Sequence, residues 1–198
     1  MSFIRFSRVS IALVVMVVGA LAVQSMEERR ASTRASKRLM NEFKQFHESD
    51  SYKNGVFTVE LVDGNIYLWD IKLFKVDPDS RLYKDFQAWK ERTGKDHILL
   101  RAAYYDDYPF APPYVQLIYP ILDGLTFGYI CSELLTKSGW SSAYTIEPLV
   151  LQIATILSIR SVSLVQDNQR YSFDKNGRSG YQDFMNLVHP EFYTQNNM

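Results

Sequence analysis

The sequence is short of cysteine: Cys131 is the only one in 198 residues. A single thiol excludes an internal disulfide, and with it the stapled scaffold of a small secreted domain. The three histidines, His47, His97 and His189, lie far apart, so no Cys/His cluster has zinc spacing and no metal site is expected. An excess of one charge is also lacking, since Lys+Arg and Asp+Glu both number 22. No global field favours nucleic acid or an acidic substrate, and any partner must be recognised locally. There are no internal repeats and no low-complexity tract. What the chain does have is apolar matter, 46% hydrophobic and 14% aromatic. With a leader set aside, about 165 residues remain, enough for one core and a single domain.

The leader, residues 1–31, carries the apolar run VSIALVVMVVGALAV at 9–23, after Arg5 and Arg8. Three readings compete. A secretory signal fits the basic start, the short apolar segment and the small residues Ala20-Leu21-Ala22. A membrane anchor needs about 17 to 25 apolar residues, which Phe3, Ile4 and Phe6 help to supply. The third reading is a buried helix. More basic residues follow the run (Arg29, Arg30, Arg34, Lys37, Arg38) than precede it, so an anchored chain would keep its main domain, residues 32–198, on the cytosolic side.

From residue 32 the pattern alternates helix and strand. Ser32 or Thr33 can cap a helix with Ala35, Leu39, Phe43 and Phe46 on one stripe and Arg34, Lys37, Arg38 and Lys44 opposite. The β-rich runs 56–62 and 66–76 flank Asp63-Gly64-Asn65, a three-residue hairpin connection. Asp77-Pro78-Asp79-Ser80 ends the strand and opens a short helix with Leu82, Phe86 and Trp89 on one face and Gly94 as terminator. Runs 97–105 and 114–119 are the third and fourth strands. Between them, Pro109, Pro112 and Pro113 make a rigid loop that fixes Phe110, either as an exposed anchor or packed beneath the loop. Thr145 caps a helix whose Leu149, Val150, Ile153, Ile156 and Leu157 predict a central core element. A last helix, marked by Tyr181, Phe184, Leu187 and Val188, ends before Pro190. The layout is α+β: an N-terminal helix, a four-stranded antiparallel meander with an inserted helix, a core helix and short C-terminal helices.

Ser36-Lys37-Arg38-Leu39 on the first helix, the meander, the Tyr108-Pro109-Phe110 loop running to Pro112-Pro113, the Ile130-Cys131 step and the Trp140-Ser141 turn together resemble the ubiquitin-conjugating enzymes from about residue 33 to 195. Leu39-Met40, Val59-Glu60-Leu61-Val62, the helix inserted after Lys75-Val76-Asp77, and Glu133 through Tyr144 resemble the Q-type branch of that family.

The resemblance implies a ubiquitin-conjugating fold in which Cys131 accepts ubiquitin as a thioester. It also implies no bound cofactor, because ATP is consumed by the activating enzyme. A thiol suits that chemistry: thioester exchange is nearly balanced and its product stays reactive towards an amine. A Cys-His hydrolase would need a histidine folded beside Cys131, and no pattern demands it. Most of the family carries His-Pro-Asn upstream of the cysteine, whereas this chain reads Ile118-Tyr119-Pro120-Ile121. The Q-type branch lacks the tripeptide as well. Tyr129, Asp123, Ser142 and backbone N–H groups around Gly128 are the candidates to support the transition state in its place, and Asp167 can help orient an incoming lysine.

For partners, the resemblance implies ubiquitin, an activating enzyme and a ligase. Lys37 and Arg38 match the basic pair facing the activating enzyme and ligases, Pro109 and Phe110 the loop that enters a ligase groove, and Ser142 and Ala143 the second contact loop. These patches should share one edge of the domain. Two functions follow: a transferase working through Cys131, or a ubiquitin-conjugating-like binding module whose thiol is inert.

Overall fold

Ala35, Leu39 and Phe46 lie fully buried along one face of a helix, α1 (33–48), in a computed structural model that describes residues 33–159, 163–166, 169–174 and 177–188. The leader, Asp167 and His189 lie outside those residues. Among the described residues no helix is long and apolar enough to cross a membrane. Ser49 caps a single turn, α2 (Asp50–Lys53), by accepting from the Tyr52 N–H at 3.3 Å.

The hairpin forms as β1 (Phe57–Val62) and β2 (Asn65–Leu73), paired antiparallel. Its connection has two residues rather than three, because Asn65 already pairs with Val62. Asp63 and Gly64 both take positive φ, 52° and 71°, the handedness that a two-residue turn needs to follow strand twist. β3 (Ile98–Ala103) and β4 (Tyr114–Tyr119) complete a four-stranded sheet whose spatial order is the order of the chain.

Between β2 and β3 sits α3 (Arg81–Thr93). The Ser80 hydroxyl caps its first turn, Gly94 closes it at φ 70°, and Leu82, Phe86 and Trp89 are buried. After Pro120 the chain forms β5 (Ile121–Leu122), which pairs with β6 (Leu164–Gln166) in a small ladder too short to leave a periodic signature.

α4 (Ile146–Ile159) is the expected core helix, but only one stripe of it meets the core. Leu149, Val150, Ile153 and Leu157 are buried, but Ile156 is only partly so, and Leu151 and Ile159 are exposed, Ile159 by 79%. Composition reported apolar side chains, whereas the 3.6-residue period selected one stripe of them to meet the core. α5 (Gly177–Val188) shows the same one-sided burial. Tyr181 and Met185 are buried and Phe184 half-buried, while Leu187 and Val188 face outward. α5 docks closely through Gly177, where a Cβ would lie 2.2 Å from the Tyr114 ring. Arg178 adds a bidentate pair with Asp107, at 2.8 and 3.0 Å.

Candidate active site

Cys131 stands at the end of a segment that β4 builds. Strand β4 is buried almost throughout, and within it lies a polar residue, Gln116, only 2% exposed. Its amide donates to the carbonyls of Phe127 (2.8 Å) and Ser172 (3.0 Å) and accepts from the Asp174 N–H (3.2 Å). Its backbone forms an antiparallel bridge with Tyr129. One buried amide thus fixes both the approach to the cysteine and the segment 171–174, and leaves none of its own polar atoms unmet.

The turn that delivers Tyr129 to that bridge is tight. Gly128 has φ 75°, and a Cβ there would lie 2.3 Å from the Leu117 carbonyl oxygen and 2.9 Å from the Tyr171 ring. Tyr171 holds the outer side, donating to the carbonyls of Leu125 (2.9 Å) and Leu122 (3.3 Å).

Beyond the bridge, burial alternates as in a strand. Tyr129 and Cys131 are half-buried on one side, Ile130 and Ser132 buried on the other, and Glu133 exposed. The Tyr181 hydroxyl on α5 donates to the carbonyls of Ile130 (2.9 Å) and Ser132 (3.4 Å), on either side of the cysteine. Ser132 turns its hydroxyl inward, where it is buried without a hydrogen-bond partner among the described residues. Cys131 thus lies on a backbone held from β4 and from α5, packed against the core and partly exposed.

Of the expected supporting residues, Tyr129 alone is placed beside Cys131 along the backbone among the described residues. Tyr129 shares the side of Cys131, and its ring packs against Phe184 (5.3 Å), Tyr181 (5.8 Å) and Tyr114 (6.2 Å). Its hydroxyl is directed to α5, where a Cβ on Gly180 would come within 2.8 Å. Burial, with nearby Asp174, raises its pKa, so it remains a neutral phenol. Asp123 is exposed beside β5, its N–H donating to Ser163. Ser142 is exposed on the loop before α4. Asp167 lies outside the described residues. Ile121, where the tripeptide asparagine would fall, carries no side-chain donor and is paired in the β5–β6 ladder. His47 bonds to the Phe43 carbonyl within α1, and His97 to Asp96 and the Tyr119 hydroxyl, so both rings are committed elsewhere. Among the described residues no group of three His, Cys, Asp or Glu side chains is placed to hold a metal ion.

The three patches that the resemblance assigns to partners lie close together. Phe110 is 66% exposed, not packed beneath its loop, and the Arg34 guanidinium sits 5.4 Å from its ring centre. Pro109 is buried, and its carbonyl accepts from the Trp140 indole at 2.8 Å, tying the first loop to the second. Lys37 and Ala143 are exposed. Arg38 bridges rather than projects, bonding Glu42 at 2.5 Å and the Tyr144 carbonyl at 3.0 Å.

Glu42 is the residue the sequence concealed. It is 3% exposed, and its carboxylate accepts from Arg38, from the Tyr108 hydroxyl (2.6 Å) and from the Ile146 N–H at the start of α4 (3.1 Å). One buried charge joins α1 to both loops and to a helix N-terminus, the end that favours an anion.

No family model matches the sequence. Ubiquitin-conjugating enzyme E2 Q1 of Homo sapiens, and equally that of Mus musculus, is 45% identical over 148 residues, 73% of this chain and 33% of that protein. Ubiquitin-conjugating enzyme E2 25 of Caenorhabditis elegans is 42% identical over 156 residues, 77% of this chain and 38% of that protein. The chain therefore spans about a third of the length of these relatives. Among solved structures, human ubiquitin-conjugating enzyme E2 G1 superposes with a TM-score of 0.50 at 18% identity, over 64% of this chain and 97% of its own, a likeness of fold alone. By sequence similarity and fold together, this chain is similar to the ubiquitin-conjugating enzymes, and the similarity falls on the Q-type branch.

Proposed function

We propose that the chain is a ubiquitin-conjugating transferase that carries ubiquitin as a thioester on Cys131 and passes it to an acceptor with a ligase. In the first step the Cys131 thiol loses its proton, and its sulfur attacks the thioester carbon joining ubiquitin to the activating enzyme. A new C–S bond forms, the old one breaks, and the activating enzyme's sulfur leaves as a thiolate that regains a proton. In the second step an acceptor amine or hydroxyl attacks the same carbon, loses its proton, and Cys131 departs as the thiol. ATP is consumed upstream, by the activating enzyme.

The observation that carries this reading is the half-buried Cys131 on a backbone fixed by Gln116 and Tyr181. Fixed geometry limits the motion lost on reaching the attacking pose. The edge formed by Lys37, Pro109, Phe110, Ser142 and Ala143 supports docking of the activating enzyme or a ligase, with the immobilised Phe110 ring as its apolar anchor. The β5–β6 ladder supports the ordering role that an asparagine would otherwise play. Backbone N–H groups around Gly128 remain as oxyanion donors, where each donor contributes on the order of a hundredfold in rate. The full chain, activating enzyme, ubiquitin and ATP, run on a non-reducing gel, test it. A thiol-sensitive adduct that is absent in Cys131→Ala supports the transferase.

The second reading is a binding module with an inert thiol, favoured by the lack of a side-chain donor at Ile121. The same gel without an adduct selects it. For location, the apolar run at 9–23 with its basic residues downstream supports attachment on the cytosolic face of a membrane. Glycosylation tags at both ends test this, and a tagged C-terminus would favour a secretory signal.

A further inference from the structure

α5 reaches the cysteine from far along the chain, and its placement rests on its first turn. Gly177 brings that turn against the Tyr114 ring, a contact that sets how close the helix lies but offers no side chain to set its rotation. Arg178, the next residue, supplies one. Its guanidinium spans 71 positions to hold both Asp107 carboxylate oxygens, at 3.0 and 2.8 Å, and lies 4.6 Å from the Tyr105 ring centre. A planar fork on a planar carboxylate fixes direction as well as distance, which a single hydrogen bond would not.

The anchor is itself fixed. The Asp107 carbonyl accepts from the N–H groups of Phe110 (2.8 Å) and Ala111 (3.3 Å), and the Tyr108 N–H closes on the Tyr105 carbonyl (2.9 Å). Pro109, Pro112 and Pro113 stiffen the rest of the loop. Tyr181 follows Arg178 by three residues, and so projects from nearly the same side of α5. Its buried hydroxyl spans the Ile130 carbonyl at 2.9 Å and the Ser132 carbonyl at 3.4 Å, the second already near the limit of a hydrogen bond. A small rotation of α5 carries the tip of so long a side chain further than it carries the backbone. The reach to Ser132 is lost first.

We propose that Arg178 is a positioning residue for Cys131: its fork on Asp107 sets the rotation of α5 at which the Tyr181 hydroxyl holds the carbonyls on both sides of the cysteine. The inference rests on the transferase reading above and adds to it a residue that acts through Tyr181. Stability alone does not account for the pair. The Asp107 side chain is 51% exposed and that of Arg178 21%, and an ion pair so open to water contributes little to the fold. What its bidentate geometry contributes is orientation.

The test uses the full chain with Arg178→Gln, Asp107→Asn, Tyr181→Phe and the double variant Arg178→Gln/Tyr181→Phe. Each takes ubiquitin from the charged activating enzyme, and the rate of thioester formation is followed over a range of activating-enzyme concentrations. Arg178→Gln and Asp107→Asn should each lower kcat about fivefold with KM unchanged, because the thiol is misplaced while the docking residues are intact. Their melting temperatures should fall by no more than about 4 °C, as the loss of a partly exposed ion pair allows. Adding Arg178→Gln to Tyr181→Phe should slow the reaction no further, since Arg178 acts through the hydroxyl already removed. An unchanged kcat in Arg178→Gln, a rise in KM alone, or losses that multiply in the double variant would each overturn the positioning role while leaving the transferase standing. A melting temperature lowered well beyond that range would overturn it too, by assigning the pair to the fold. A wild-type chain that takes no ubiquitin would overturn both readings.

Discussion

The Tyr181 hydroxyl donates to the Ile130 carbonyl at 2.9 Å, and so fixes the residue before Cys131 from a helix 51 positions further along the chain. Tyr181 is itself 3% exposed, which gives this hydrogen bond little competition from water. Tyr181→Phe keeps the ring and removes the donor, leaving buried carbonyl oxygens short of a partner. Denaturant unfolding should show a loss of about 1–2 kcal/mol. Thioester formation should slow in the same variant, since the cysteine backbone loses one of its two restraints. An unchanged midpoint and rate would show that the clamp is idle.

Gly128→Ala forces a methyl to within 2.3 Å of a carbonyl oxygen at a backbone angle that favours glycine. The turn must open, the Tyr129–Gln116 bridge must shift, and Cys131 must move with it. A loss of about 1–3 kcal/mol is expected, together with reduced charging. Thermal melting and the thioester assay read the two effects separately.

Glu42→Ala removes the shared acceptor of Arg38, Tyr108 and Ile146, leaves two buried donors unmet and leaves the Arg38 guanidinium only the Tyr144 carbonyl. The cost should be about 3–5 kcal/mol, near the upper end for single substitutions. Exposed Phe110→Ala on the same edge should change stability by no more than about 0.5 kcal/mol. Parallel urea titrations of the two variants check the contrast.

Alkaline pH should weaken the fold through its buried tyrosines. Burial raises the pKa of Tyr104, Tyr108 and Tyr114 above the ordinary tyrosine value of 10.0, with further contributions from neighbouring tyrosines and from acidic groups, Glu42 for the first two and Asp174 for Tyr114. Below that value all three are neutral in both states and pH has no leverage through them. As pH rises past it, the unfolded chain releases protons that the folded chain retains, so stability falls. Unfolding free energy followed across this range, alongside tyrosinate absorbance, should decline as unfolding exposes new phenolates. A flat profile would contradict the burial of these hydroxyls.

Much of this architecture was legible because it is local. β4 runs from Tyr114 to Tyr119 as its apolar run indicated, α3 ends at Gly94, and Cys131 sits in an irregular segment after the sheet. What stayed hidden depends on contacts across long stretches of chain. Glu42 meets partners 66 and 104 positions away, so nothing in its own helix marks it as buried. Gln116 was one polar letter in an apolar strand, and Tyr181 one aromatic in a helical stripe. Each acquires its role only when the loop before Cys131 folds onto it. Which apolar side chains of α4 and α5 face outward was not legible for the same reason, because apolar composition does not state what will cover it.

The central claim, that the Cys131 sulfur is reachable and becomes the site of acyl attachment, is tested most directly by intact mass of the Cys131→Ser variant. The full-length variant is incubated with activating enzyme, ubiquitin and ATP, then treated with reductant. The account predicts a gain of one ubiquitin that survives reductant in the serine variant, as an oxygen ester, and is lost to reductant in the wild type, as a thioester. A wild-type chain that gains no ubiquitin, or one whose adduct persists in Cys131→Ala, would contradict it.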